Sequence, residues 1–211
     1  MTTPILTLAG GALLAVGASL WTLAEYLMHR FGMHALRGRG LASREHLRHH
    51  ALQDSVLESW WFAWAGVLGV GFALGRSAVQ ALGPVGACLG IGWVAGYGFY
   101  DWIHYRAHRR PVAHPYERWV RRHHFHHHFG HPMANHGVTT PVWDMAFGTY
   151  ERVDGAVAVP RRLAMRWLCD DAGDVREAYA GDYRLVGTRP WNDEQAAEDH
   201  QRAFANRAPV V

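Results

Sequence analysis

Long apolar blocks separated by short polar segments dominate the first half of the chain. From Met1 to Ala24 no side chain is charged, and an apolar helix of this length crosses the hydrocarbon core of a bilayer. A second block, Ser59 to Gly75, has 17 residues, which is the lower limit for a spanning helix. A third block runs from Ser77 to Tyr100 without a charge. The pattern predicts three membrane-spanning helices.

Two local signals and two alternatives bear on these spans. Gly83-Pro84 predicts a loop after which proline opens the third helix, and we expect that helix to continue past Asp101. A cleavable signal peptide is the alternative for the first block, but the block lacks the basic region that such a peptide carries. A buried soluble hairpin is the alternative for the other two blocks, but neither has the polar face of a surface helix.

The number of crossings places all histidine-rich segments on one side of the membrane. One crossing, a polar segment from Glu25 to Glu58 and two further crossings return the chain to that side. Five arginines between Arg30 and Arg48 and six between Arg106 and Arg122 lie there. The positive-inside bias makes this face cytoplasmic. The expected fold class is all-α: an integral membrane helical bundle of about three transmembrane helices with a cytosolic histidine-rich helical cap.

Composition changes after Tyr150, because 11 of the 18 acidic residues lie in 151–211. We therefore predict a catalytic membrane-embedded domain over 1–150 and a solvated cytosolic tail over 151–211. The stretch NDEQAAEDHQRAFANR predicts a terminal helix capped by Asn192, with His200 as a surface residue. The net charge of +3 is too small to favour nucleic-acid binding, and the two cysteines form no disulfide framework.

The histidines recur at spacings that place them on common helix faces. Residues three and four apart lie on one face of an α-helix, so three of four histidine-rich stretches can each direct two or three imidazoles inward. Histidine is the commonest metal ligand in its neutral form. The four stretches are HRFGMH (His29, His34), HLRHH (His46, His49, His50), HYRAH (His104, His108) and HFHHH (His124, His127, His128).

The first stretch differs from the others. Five residues at 100° each put His29 and His34 roughly 140° apart on an α-helix. They therefore serve two different metals, or they lie where the helix ends, which Gly32 between them permits. Ten imidazoles exceed the six positions of an octahedral site, so at least two metals are implied. Five histidines per metal is the simplest division.

The order HxxxxH, HxxHH, HxxxH, HxxHH, followed by GVTTPVWDMAFGTY (137–150), resembles the fatty acid hydroxylase and sterol desaturase superfamily of membrane oxygenases. EYLMHRFGMH and GYGFYDWIHY are also similar to that family's flanking residues. The resemblance covers about Glu25 to Tyr150. It implies a dinuclear iron centre, held by the ten histidines, that uses O2 and electrons to attack a lipid C–H bond.

HHFHHH fits HxxHH in two registers, beginning at His123 or at His124. The family's fixed short distance to the GVT segment favours the second, which makes His124, His127 and His128 the ligands. The remaining histidines nearby become neighbours of the site: His114, His123, His126, His131 and His136. Ligand histidines usually donate their second N–H to an oxygen, and the candidates to support the ligands are Glu45, Asp101, His136 and Asp144.

The resemblance implies O2-dependent hydroxylation of a fatty acyl chain, with O2 as co-substrate and a lipid as substrate. Iron suits imidazole ligands and changes oxidation state. Zinc binds the same ligands without redox chemistry, and we expect that it can occupy the site in purified protein. The chain has no flavin or dinucleotide fingerprint, so we expect an external electron donor, a ferredoxin or a cytochrome with its reductase.

Rival functions remain at this point. Desaturation, sterol oxidation or carotenoid ring hydroxylation fits the same superfamily. Outside it, a metal carrier would place ligands along a path through the bilayer, and the three predicted spans contain no histidine. A membrane zinc hydrolase would need one open metal position rather than ten imidazoles, and the chain has no HExxH motif.

Overall fold

The computed structural model of the chain describes residues 3–53, 60–187 and 192–210. It is mostly helical, and its residues form two compact units: 1–25 with 58–102, and 26–57 with 103–211. The elements are α1 (Thr3–Leu27), a π-helical segment (Met28–Ala35), α2 (Leu41–Leu52), α3 (Trp60–Leu82), α4 (Ala87–Arg109), α5 (Pro115–Phe129), α6 (Val142–Ala146), β1 (Val157–Pro160), β2 (Tyr183–Val186) and α7 (Asp193–Phe204).

The first unit contains apolar helices that pack through glycines. A Cβ added at Gly17 would lie 2.1 Å from the carbonyl oxygen of Leu89, and one added at Gly90 would lie 2.1 Å from that of Gly71. Backbones that approach this closely are typical of membrane helix packing, where small residues occupy the interface. Trp21, Val67 and Tyr97 form the buried core of the unit.

The predicted boundary between the second and third blocks is wrong. We expected a helix that ends near Gly75, but α3 continues through Arg76 to Leu82, because a single arginine does not interrupt a helix. The expected loop is confirmed at Gly83, whose φ is +74°, and Pro84 opens a 3-10 turn before α4. α4 continues past Asp101 to Arg109, as predicted. Glu58 and Ser59, where the second block was expected to begin, lie outside the described residues.

Two helical stretches of the described residues are long and apolar enough to cross a membrane: Leu6–Ala35 and Trp60–Leu82. Only 17% and 22% of the residues in their most apolar windows are buried. The core helix of a soluble protein would instead be mostly buried, so this exposure favours contact with lipid over the soluble-hairpin alternative. α4 does not meet the same test, and the third span stays a prediction.

The second unit shows that the segment after Tyr150 is not a solvated tail, contrary to our expectation. β1 and β2 form a parallel pair in which Val157 is opposite Tyr183, so the all-α prediction is also incomplete. The two strands have four residues each, too few for a clear alternating pattern in the sequence. Side chains from both sides of residue 150 share one core: Phe125, Phe129, Val157, Val159, Leu163, Met165, Trp167, Leu168, Cys169 and Tyr183.

The terminal helix of this unit agrees with the sequence prediction. α7 begins at Asp193, and the side chain of Asn192 accepts a hydrogen bond from the backbone N–H of Gln195 at 2.8 Å. This is the N-cap arrangement that satisfies a free donor in the first turn. α7 packs against α2, the helix that carries HLRHH.

Candidate metal centre

The ten predicted histidines come together in the second unit as two groups of five. Within each group, one ring nitrogen from every histidine lies within 4.8 Å of the others. Nine of the ten side chains are buried, and that of His104 is partly buried. The first group is His29, His34, His46, His50 and His127; the second group is His49, His104, His108, His124 and His128.

α2 and α5 each contribute to both groups, and the HxxHH spacing explains how. In α2, His46 and His50 are four residues apart and join the first group, whereas His49 joins the second. In α5, His124 and His128 join the second group and the residue before His128 joins the first. Positions i and i+4 share a helix face, while i+3 lies on the other edge of that face. One HxxHH helix therefore supplies ligands to two neighbouring sites.

His29 and His34 belong to the same group. Of the two alternatives, this arrangement does not agree with ligands of two different metals, and it agrees with residues that follow the end of α1 at Leu27. The reason is local geometry. Both residues lie in the π-helical segment, in which hydrogen bonds join residues five apart. Residues at i and i+5 then lie almost above one another, and the separation of roughly 140° expected for an α-helix does not apply.

The tautomers of two first-group rings indicate that a cation fits between them. His127 Nδ1 donates a hydrogen bond to the carbonyl oxygen of Ala134 at 2.7 Å, and His34 Nδ1 faces the side-chain oxygen of Asn206 at 3.0 Å. Both neutral rings therefore carry the lone pair on Nε2. These two Nε2 atoms lie 3.0 Å apart, which is not a hydrogen bond without a proton between them. Lone pairs that converge in this way suit a shared metal ion.

Burial keeps these histidines neutral. Removal from water, reinforced by neighbouring histidines, holds the pKa of His46, His50 and His127 well below 6.5. In the second group, burial likewise lowers the pKa of His124 and His128 well below 6.5. Metal binding requires deprotonated imidazole, so all these rings are in the ligand form at neutral pH. A redox-active or structural transition metal fits this all-nitrogen donor set.

The chosen register of HHFHHH agrees with the geometry. His124, His127 and His128 are in the two groups, while His126 Nε2 lies 2.9 Å from a carboxylate oxygen of Glu151. His123 is buried outside both groups, and its Nε2 lies 3.5 Å from Asp144 Oδ2. Of the other neighbours, His131 Nδ1 also contacts Glu151.

His136 and Asp144 lie beside the first group and support it indirectly. The carbonyl oxygen of His136 accepts a hydrogen bond from Nδ1 of His29, and burial lowers the pKa of the His136 ring to about 3. Asp144 accepts from the backbone N–H groups of His136 and Gly137, both at 2.8 Å, and from the hydroxyl of Thr149. Asp144 thereby fixes the peptide that holds His29, rather than bonding the imidazole itself.

The other two candidate supporting residues have different surroundings. Glu45 is half-buried in α2 and is in neither histidine group. Asp101 belongs to the first unit, where its exposed carboxylate accepts a hydrogen bond from the Trp64 side chain.

Two side-chain partners of the ligand histidines lie outside every motif of the sequence. The amide of Gln53, at the left-handed C-terminus of α2 (φ +55°), lies 3.0 Å from Nδ1 of His128 and donates to the carbonyl of His50 at 2.7 Å. Asn206, which faces His34, lies 172 residues further along the chain. The sequence signal for these partners is limited to Asn206. An asparagine just after a helix often adopts the left-handed conformation that ends the helix.

Comparisons with known proteins agree with this site. A sequence model of the fatty acid hydroxylase family matches residues 14–149. The chain is 31% identical over 153 residues to a dihydroceramide fatty acyl 2-hydroxylase of Arabidopsis thaliana, covering 69% of this chain and 63% of that protein. It is 32% identical over 148 residues to fatty acid 2-hydroxylase of Homo sapiens, covering 65% and 39%.

A solved structure is also similar. Full-length scs7p, of which only the hydroxylase domain is visible, aligns with a TM-score of 0.53 and 26% identity, covering 73% of this chain and 65% of that one. The chain thus spans less than two thirds of the length of these relatives. The family match covers more than half of the chain and all ten clustered histidines. The chain therefore belongs to the fatty acid hydroxylase family, a family of membrane oxidoreductases.

Proposed function

We propose that this chain is an O2-dependent fatty acyl hydroxylase whose two histidine groups hold a dinuclear iron centre, one ion in each group. The observation that carries the proposal is the pairing of two adjacent, buried, all-imidazole groups of five. A zinc hydrolase binds its ion with three protein ligands and leaves one position open, whereas each group here offers five nitrogen donors. The arrangement is more consistent with redox chemistry at imidazole-bound iron.

The chain's own residues prepare the centre in two ways. Oxygen acceptors on the outer nitrogens of His29, His34 and His127 direct their Nε2 lone pairs into the first group. Burial excludes water and protons from both groups. Iron, when bound, would supply the oxidising power that a lipid C–H bond requires and that side-chain acids and bases lack.

A fatty acyl substrate is the choice that the relatives support. The similar proteins of Arabidopsis thaliana and Homo sapiens are named as fatty acyl or fatty acid 2-hydroxylases. The same activity is proposed for the present chain, which spans only part of the length of these relatives. Desaturation, or oxidation of a sterol or carotenoid, is the alternative within the superfamily.

We further propose that α4 is a third span, and that the histidine groups face the cytosol as part of a hydrophilic cap to which 151–211 also contributes. The arginines that flank the histidine motifs support this orientation through the positive-inside bias. A reporter enzyme that works only in the cytosol should therefore be active when it is fused after Val211. Periplasmic or lumenal activity would reverse the orientation.

The proposed reaction also needs electrons from outside the chain, supplied by a ferredoxin or by a cytochrome with its reductase. Purified protein should not turn over with NADPH alone, and addition of such a donor should start turnover. Sustained activity with NADPH and no other protein would contradict this part of the proposal.

The decisive experiment compares lipids from cells that express the chain with lipids from cells that express His128→Ala. Mass spectrometry should show one lipid class heavier by one oxygen atom only with the unaltered chain, and ¹⁸O2 should label that atom. A product that lacks two hydrogens would indicate desaturation instead. Product formation that continues without O2 would refute the oxygenase proposal.

A further inference from the structure

The C-terminal segment reaches back to the first histidine group through one side chain. Asn206 follows α7 and lies beyond the residues that match the family, 14–149. Its Oδ1 lies 3.0 Å from Nδ1 of His34, and its Nδ2 donates to the carbonyl oxygen of the same residue at 3.1 Å. The donation to a carbonyl fixes which amide atom faces the ring, because only Nδ2 carries protons. Oδ1 is therefore the acceptor of the His34 Nδ1–H.

Several contacts hold the amide in place. Arg162 forms a buried ion pair with Asp199 of α7, with N–O distances of 2.6 and 2.7 Å, and also donates to the carbonyl of Val210. The ring of Phe204 lies against Gly38, where an added Cβ would come within 2.6 Å of the ring. Asn206 itself has a φ of +56°, a left-handed conformation that asparagine and glycine accept most readily.

We propose that Asn206 is a positioning residue for the metal centre. Its amide keeps the proton of His34 on Nδ1 and thereby directs the Nε2 lone pair toward the other four histidines of the first group. His34 Nε2 lies 2.9 Å from His46 Nε2 and 3.0 Å from His127 Nε2, which is the orientation that this tautomer requires. The inference rests on the proposed function, since it assumes that the first group binds an ion.

The test is Co²⁺ titration of the metal-free, full-length chain in detergent, followed by visible absorption. Asn206→Gly removes the amide and keeps the left-handed backbone. Loss of an oxygen that orients a ligand histidine costs about 10- to 100-fold in metal affinity. We expect one of two Co²⁺ ions to bind more weakly by that factor and its absorption band to shift, with the other ion unchanged.

Two further variants separate positioning from general damage to the C-terminal segment. Asn206→Asp keeps an acceptor for the Nδ1–H and should restore two-ion binding to within several-fold of the unaltered chain. Asn192→Ala removes the N-cap of α7, 14 residues away from position 206, and should lower the unfolding temperature while the affinity for both ions stays unchanged.

The outcomes distinguish this inference from the proposed function. An unaltered chain that takes up no Co²⁺ would overturn both. Two-ion binding that is unchanged in Asn206→Gly would overturn the role of Asn206 and leave the metal centre intact. If Asn206→Asp loses one ion while Asn192→Ala keeps both, acceptance of the Nδ1 proton is not what Asn206 provides, and the inference fails even where the glycine variant does not fold.

Discussion

Neighbouring histidines of α5 differ sharply in their surroundings. His127 is fully buried, and its two ring nitrogens face a carbonyl oxygen and the first histidine group. His126, one position earlier, is partly exposed and faces Glu151. Residue type is identical, so only the direction of the side chain from the helix separates a proposed ligand from a surface group.

This contrast gives a matched pair of variants. His127→Ala should reduce bound metal from about two ions per chain toward one, because the first group loses a donor and deprotonated imidazoles are what hold the ion. His126→Ala should leave metal content unchanged. Metal analysis of both purified variants checks the prediction, and full occupancy in His127→Ala would remove that residue from the proposed ligand set.

Packing between helices of the first unit depends on where glycine occurs along each helix. Gly90 of α4 meets the backbone of α3, because an added Cβ would lie 2.1 Å from the carbonyl oxygen of Gly71 and 3.0 Å from the nitrogen of Gly75. Gly69 of α3 has no atom within 4 Å of the same added position. The two glycines therefore have different roles, one at a contact between helices and the other on an open face.

We expect Gly90→Ala to lower stability, because the backbones of α3 and α4 must separate to accept the methyl group. Overpacking of this kind costs about 1–3 kcal/mol. Gly69→Ala should be neutral or stabilising by up to about 1 kcal/mol, since alanine favours the helix. Thermal unfolding in detergent measures both changes. Equal stability of the two variants would mean that the close α3–α4 contact does not form.

At the scale of the whole molecule, buried neutral histidines link stability to pH. Burial lowers the pKa of His46, His50, His124, His127 and His128 well below 6.5 in the folded chain, and that of His136 to about 3. In the unfolded chain these rings take up protons at pH values near the ordinary histidine pKa of about 6.5. The unfolded state therefore binds more protons below pH 6.5.

The sign of the pH effect follows from this difference. The metal-free chain should have its full stability above about pH 6.5 and should lose stability steadily as the pH falls toward the lower folded-state values. Unfolding temperatures measured from pH 8 down to about pH 4 test this, and bound metal should extend stability to lower pH, because it binds the folded form. Stability of the metal-free chain that is constant across this range would contradict the burial of these rings.

The sequence by itself determined the features that depend on local periodicity. Apolar blocks indicated the membrane helices, HxxHH and HxxxH spacing placed histidines on helix faces, and Asn192 marked the start of α7. These signals are local because helix geometry relates residues only three to four positions apart. The same spacing pointed to the clustered histidines, but it left two registers open for HHFHHH, and the family resemblance selected the one that agrees with the geometry.

Only the tertiary structure decided how the histidines divide, because that division depends on segments far apart in the chain. It also revealed the π-helical segment that unites His29 with His34, the end of α3 beyond Arg76, and the core that α5 shares with residues between Val157 and Tyr183. Asn206 is the clearest case. Its contact with His34 spans 172 residues, and no helical or strand period relates residues at that separation.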